Sequence, residues 1–193
     1  MSLPDACVMT DSADNGYCCG MNSAAENPSI DQSMLEVIES RLGRSPRGLR
    51  AVAVIGSDSL PCVIRVASLV EGKPFPTLFW LIDPVLNLRI DREEAGGLIN
   101  RFQRLVDESR ELQGAMKSDH QRHIQLRESY LAGGERELLE SRGQWDALSR
   151  RGIGGIADFS RIRCLHTWYA AHLVEPNTVG RLLDAHWAES ELQ

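Results

Sequence analysis

Leu49-Arg50-Ala51-Val52-Ala53-Val54-Ile55 and Cys62-Val63-Ile64-Arg65-Val66-Ala67-Ser68-Leu69, separated by Gly56-Ser57-Asp58-Ser59-Leu60-Pro61, decide the fold class. Both runs are dense in β-branched residues, and the Gly, Ser, Asp and Pro between them interrupt the pattern, which predicts a hairpin with a long loop. Glu71-Gly72-Lys73-Pro74 makes a second turn, and the aromatic and β-branched run from Thr77 to Ile82 predicts a third strand. Three antiparallel strands form a meander whose apolar face needs a cover. The remaining chain supplies helices, so the expected fold is α+β, a small three-stranded antiparallel sheet packed by four or five helices.

Upstream, Asp31 or Ser33 caps a short helix through Arg41, with Leu35, Ile38 and Leu42 on one side and Gly43 placed to end it. Downstream, Leu98, Ile99, Phe102, Leu105, Val106 and Leu112 recur at helical spacing, which predicts a helix from about Arg92 to Leu112 with an Asp91/Glu94 capping box. Two weakly amphipathic helices follow, Ser118 to Leu131 and Glu135 to about Leu148. The glycine-rich Gly152-Ile153-Gly154-Gly155-Ile156 leads into a last long helix from about Asp158 to Leu173, closed by Pro176 and Asn177.

The chain has 193 residues, 42% of them hydrophobic and 25% charged, enough to bury one core. Residues 1–30 are rich in Ser, Asn, Asp, Gly and Ala with no apolar period, which predicts a mobile acidic leader ahead of a single domain over 31–193. Residues 1–46 carry a net charge of -5 out of the chain's -6. The near-neutral body argues against nucleic acid, whose phosphates demand many cations. No apolar run approaches the roughly 20 residues of a membrane span, and the N-terminus lacks the pattern of a signal peptide, so the expected location is the cytoplasm with no membrane partner. Five cysteines, three of them in the leader (Cys7, Cys18, Cys19), make no disulfide framework.

Four stretches carry a likeness: Leu42-Gly43-Arg44-Ser45-Pro46-Arg47-Gly48, Gly72-Lys73-Pro74-Phe75-Pro76-Thr77-Leu78-Phe79-Trp80-Leu81, the Gly152 to Gly155 segment, and Arg163-Cys164-Leu165-His166 followed by His172. In this order and spacing they resemble the bacterial family called domain of unknown function 501, over roughly Leu42 to His186. The resemblance implies a cytoplasmic bacterial protein and brings no established activity. It also implies cysteines in the hairpin loop and one just before the proline after the third strand. Here those places read Ser57, Asp58, Ser59 and Asp83, a departure that tells against a shared cysteine metal site.

Three kinds of site are open to the remaining residues. Thiolate and imidazole are the usual zinc ligands, which singles out Cys164, His166 and His172. On one continuous helix, however, Cys164 and His166 point to nearly opposite sides, and His166 and His172 lie about 9 Å apart along the axis. Zinc then needs ligands from elsewhere, such as Cys62, His120 or His123. The same geometry opposes a Cys164–His166 nucleophilic pair, for which a buried Cys packing the helix is the plainer reading.

An anion pocket has the better mechanical case, because a glycine loop running into a helix N-terminus exposes unpaired N–H groups at the positive end of the dipole. Arg163 and His166 share one side of that helix, and Arg47 and Lys73 can converge from the sheet edge; against this, Asp158 can cap the helix itself. The expected function is therefore binding of a small anionic, phosphorylated ligand in an accessory or regulatory role, with Arg47, Lys73, Arg163, His166 and His172 around it. The alternatives are an enzyme using His166 or His172 as general acid or base, a protein–protein interaction module, and a zinc-binding protein. No cofactor is named by any motif.

Overall fold

The computed structural model describes residues 30–192, so the acidic leader lies outside the described residues. Helix α1 (Gln32–Leu42) begins where Asp31 accepts the Met34 N–H at 2.7 Å and ends at Gly43, whose φ of 67° is the left-handed stop expected from the sequence. Strands β1 (Leu49–Ile55) and β2 (Pro61–Val66) form the predicted hairpin. The chain then leaves the sheet for a small ladder of its own, β3 (Leu69–Val70) against β4 (Lys73–Pro74). Its turn residues Glu71 and Gly72 have φ of 51° and 75°, the paired left-handed geometry of a tight hairpin. The second predicted strand is thereby cut short, and β5 (Phe79–Leu81) returns to pair with β2, giving the antiparallel order β1-β2-β5.

The two faces of β2 explain why apolar residues, interrupted only by Arg65, run along it. Ile64 and Val66 pack with Ile38 of α1, whereas Val63 faces the larger core with Phe79 and Leu81. Arg41 of α1 donates to Pro61 O at 2.7 Å and forms ion pairs with Asp58 and Asp83. These are among the places where the family resemblance implies cysteine; here a guanidinium joins two carboxylates.

Eight α-helices are found among the described residues, where four or five were expected. The predicted Arg92–Leu112 helix is divided among α2 (Pro84–Ala95), α3 (Leu98–Glu108) and α4 (Arg110–Ser129). Gly97, at φ 83°, breaks the first junction, and Ser109 caps the second by accepting the Leu112 N–H. The true cap of α2 is Asp83, which accepts from Val85 and Leu86 N–H groups ahead of Pro84, so Asp91 and Glu94 form no capping box. Two shorter helices, α5 (Glu135–Ser141) and α6 (Asp146–Ser149), replace a single one. A 3-10 turn (Ile153–Gly155), α7 (Leu165–His172) and α8 (Thr178–Glu191) complete the chain.

The correction with most consequence concerns α7, which starts seven residues later than predicted. Asp158 turns onto Ser160, accepting from its N–H and its hydroxyl. The Gln103 side chain then accepts the Ile162 N–H at 2.9 Å and donates to Ser160 O at 2.9 Å. Those backbone groups are no longer available to a helical ladder.

Helix α4 runs through the core with a polar buried face: Asp119, His120, His123 and Arg127. Arg127, 1% exposed, donates to Pro76 O and Leu148 O, at 2.7 and 2.5 Å, and to Arg151 O. Burial lowers its pKa to about 10, so the guanidinium remains charged at neutral pH. His120 accepts the Ile153 N–H at 3.0 Å, which fixes the course of the glycine loop. Asp119 accepts from Thr178 N–H at 2.7 Å and thereby secures the start of α8.

Two glycines make these contacts sterically feasible. A Cβ at Gly152 would lie 2.1 Å from the His120 ring, and one at Gly180 would lie 2.0 Å from the His172 ring. Gly152→Ala should therefore cost on the order of 3 kcal/mol, from overpacking and the weakened His120 bond, lowering Tm by roughly 6–12 °C. Gly114, inside α4 with no neighbour in the way, predicts the opposite sign: Gly114→Ala gains about 1 kcal/mol in chemical denaturation.

Burial also lowers the pKa of His120 to about 4 and of His123 to about 3, the latter helped by the Arg127 charge. The unfolded chain takes up protons at these imidazoles near pH 6.5 while the folded chain does not. The stability governed by these two imidazoles should accordingly be complete above pH 6.5 and fall as pH drops toward 4. Denaturation curves across that window should flatten in His123→Leu; an unchanged slope would assign the titration to other groups.

Candidate functional site

Cys164 stands immediately ahead of α7 with φ -155° and ψ 123°, an extended conformation, and its side chain makes no capping bond. An extended residue followed by a helical turn does not obey helical side-chain angles. Its sulfur consequently lies 3.7 Å from His166 Nδ1, where the single-helix expectation set the two on opposite sides. The late start of α7 is what unites them.

Helix α2 supplies the rest. Asn87, Asp91 and Glu94 recur at four and three residues, so they share one face, and that face meets the beginning of α7. Glu94 Oε1 accepts the Leu165 N–H at 2.5 Å and lies 3.4 Å from His166 Nδ1. On the other side of the ring, His166 Nε2 sits 3.4 Å from Asp91 Oδ1 and 3.4 Å from the Asn87 carbonyl. Ligand-type atoms of Glu94, Cys164 and His166 all fall within 4.8 Å of one another, and all three residues are partly exposed.

The electrostatics follow from these partners. The pKa of His166 is raised to about 9, first by the hydrogen bond to the Cys164 sulfur, then by the charges of Cys164 and Glu94 and the Asn87 carbonyl, against the opposing effect of burial. The imidazole is therefore charged at neutral pH, surrounded by negative and sulfur donors.

The glycine loop expected to cradle an anion spends several of its N–H groups within the protein. Within the glycine loop, Gly152 N–H goes to Ile156 O, Ile153 N–H to His120 and Gly155 N–H to Gly152 O. The loop does not lead directly into α7, and the head of α7 already holds the Glu94 carboxylate. Arg47 and Lys73 are found at the β3–β4 turn, where the exposed Arg47 lies 3.6 Å from Glu71. Arg163 is exposed beside Cys164.

His172 is engaged elsewhere. Its Nδ1 accepts the Asn177 N–H at 3.0 Å, so its proton resides on Nε2, which donates to Asp184 at 2.9 Å. With both nitrogens hydrogen-bonded, His172 fastens α7 to α8. Of the five predicted residues, only His166 reaches the cluster. Glu94 was missed as a site residue because it was assigned to a local cap; its spacing from Asn87 and Asp91 was the available signal.

Among the described residues, no helix is long and apolar enough to cross a membrane. Neither a curated protein nor a solved structure matches the chain. A family description does match, over residues 52–185, a span that takes in most of the sheet, the α4 core and the whole Glu94–Cys164–His166 cluster. The chain accordingly belongs to the family described as protein of unknown function (DUF501).

Proposed function

We propose that the protein binds a divalent transition metal, with zinc as the best fit, through Glu94, Cys164 and His166. The observation that carries this reading is the spacing of the donor atoms. Around tetrahedral zinc, with Zn–S about 2.3 Å and Zn–N or Zn–O about 2.0–2.1 Å, sulfur and nitrogen stand about 3.6 Å apart and nitrogen and oxygen about 3.3 Å. The corresponding separations here are 3.7 and 3.4 Å. Sulfur with imidazole selects zinc, cobalt or copper over magnesium and calcium.

The surroundings of the imidazole support the same conclusion. A metal-bound His commonly gives its second ring N–H to a carboxylate or a backbone carbonyl, and His166 Nε2 has one of each within 3.4 Å. Three protein donors leave a fourth position for water or an exogenous group. The small anionic ligand expected from the sequence enters this reading there, as a metal ligand, with the glycine loop playing no part.

Cobalt(II) titration tests the reading on a chain whose leader cysteines Cys7, Cys18 and Cys19 are replaced by serine. One equivalent should produce the visible bands of tetrahedral cobalt together with a near-ultraviolet thiolate-to-metal band. Both should vanish in His166→Ala, and Asp91→Asn should weaken binding about tenfold or more. Affinity should climb with pH toward about 9 as His166 gives up its proton. A spectrum of octahedral cobalt without the thiolate band sinks the proposal.

A further inference from the structure

We infer that Cys164 is a redox gate on this centre: a hydroperoxide oxidises its sulfur, and the site releases its metal. The inference rests on the metal reading above and adds the control of that site. Only one of the three donors is readily oxidised, because a carboxylate and an imidazole do not share the reactivity of sulfur. Cys164 is partly exposed, whereas Cys62, the other cysteine among the described residues, is 1% exposed. Of the two described cysteines, a peroxide thus meets the ligand sulfur first.

The position of Cys164 makes its modification survivable. It lies in extended backbone ahead of α7 and its side chain caps nothing, so altering the sulfur leaves the helical bonds in place. The other two ligands also have partners of their own when no cation is held. Glu94 retains the Leu165 N–H, and His166 remains between Glu94 on one side and Asp91 and the Asn87 carbonyl on the other. Loss of the metal strands no buried charge. The centre therefore has two satisfied arrangements, as a reversible switch requires, where a purely structural zinc site would lose its fold with its metal.

The chemistry balances with the peroxide as oxidant. The thiolate attacks the terminal oxygen of ROOH, an S–O bond forms as the O–O bond breaks, and the departing alkoxide takes a proton from solvent to become ROH. Sulfur is oxidised by two electrons to a sulfenic acid, which exogenous thiol returns to the thiol with formation of a disulfide and water. With sulfur lost as a thiolate ligand, Glu94 and His166 alone do not retain the metal against a chelator.

The experiment uses the chain with serine at the three leader cysteines, loaded with cobalt in the presence of a chromophoric chelator. Hydrogen peroxide should release most of the bound metal, a sulfenic-acid trap should label Cys164 by mass spectrometry, and added thiol should restore binding. Cys164→Asp, which retains a carboxylate ligand there, should hold what cobalt it binds through the same treatment. A wild-type centre that binds cobalt and keeps it under peroxide overturns the gate alone, as does equal release from Cys164→Asp. Failure to take up cobalt at all sinks the metal reading and the gate together.

Discussion

A single buried guanidinium sets the course of the least regular part of this chain. Arg127 donates to carbonyls from three separate segments, the approach to β5, helix α6 and the residue before the glycine loop. Among the described residues no carboxylate is hydrogen-bonded to it. A buried cation of this kind is tolerable only when fixed carbonyl dipoles take over the role of water, and removing the donor would leave those carbonyls unsatisfied. His120 and Asp119 extend the same device along α4, one fixing the glycine loop and the other the head of α8. The middle of the protein is consequently held by polar contacts from one helix as well as by apolar packing.

That arrangement governs the candidate site, although α4 contributes no ligand to it. The loop held by His120 runs on through Ser160 and Ile162, where Gln103 of α3 claims the backbone. Helix α7 is thus delayed until Leu165, Cys164 stays extended, and its sulfur turns back toward His166. Glu94 then accepts the first N–H of α7, an interaction favoured by the helix dipole, and in doing so brings its carboxylate beside the imidazole. The carboxylate that caps the start of α7 is here the same one that stands beside the imidazole.

Histidine chemistry in the chain divides along similar lines. His120 and His172 each accept a backbone N–H at Nδ1, each next to a glycine that leaves room for the ring. These are packing devices with a fixed tautomer. His166 is different because its Nδ1 faces a thiol and a carboxylate, and because part of its ring reaches solvent. The distinction cannot be read from residue type; it comes from which groups the ring nitrogens meet.

By itself the sequence determined the α+β class, the hairpin, the third strand, α1 with its closing Gly43, and membership of the family. These depend on local rules, alternation along strands, Asp and Gly at helix ends, and turn residues, which act over a few residues and leave a direct imprint. Helix α4 was expected over Ser118 to Leu131, but its earlier start and its buried face were not, because the period of apolar residues cannot reveal a face made of Asp119, His120, His123 and Arg127. Only the tertiary structure decided where α7 begins and which residues surround Cys164. Those outcomes turn on Gln103 and Glu94, each roughly 60 to 70 residues away in the chain, and on competition for a few backbone N–H groups that no local pattern records.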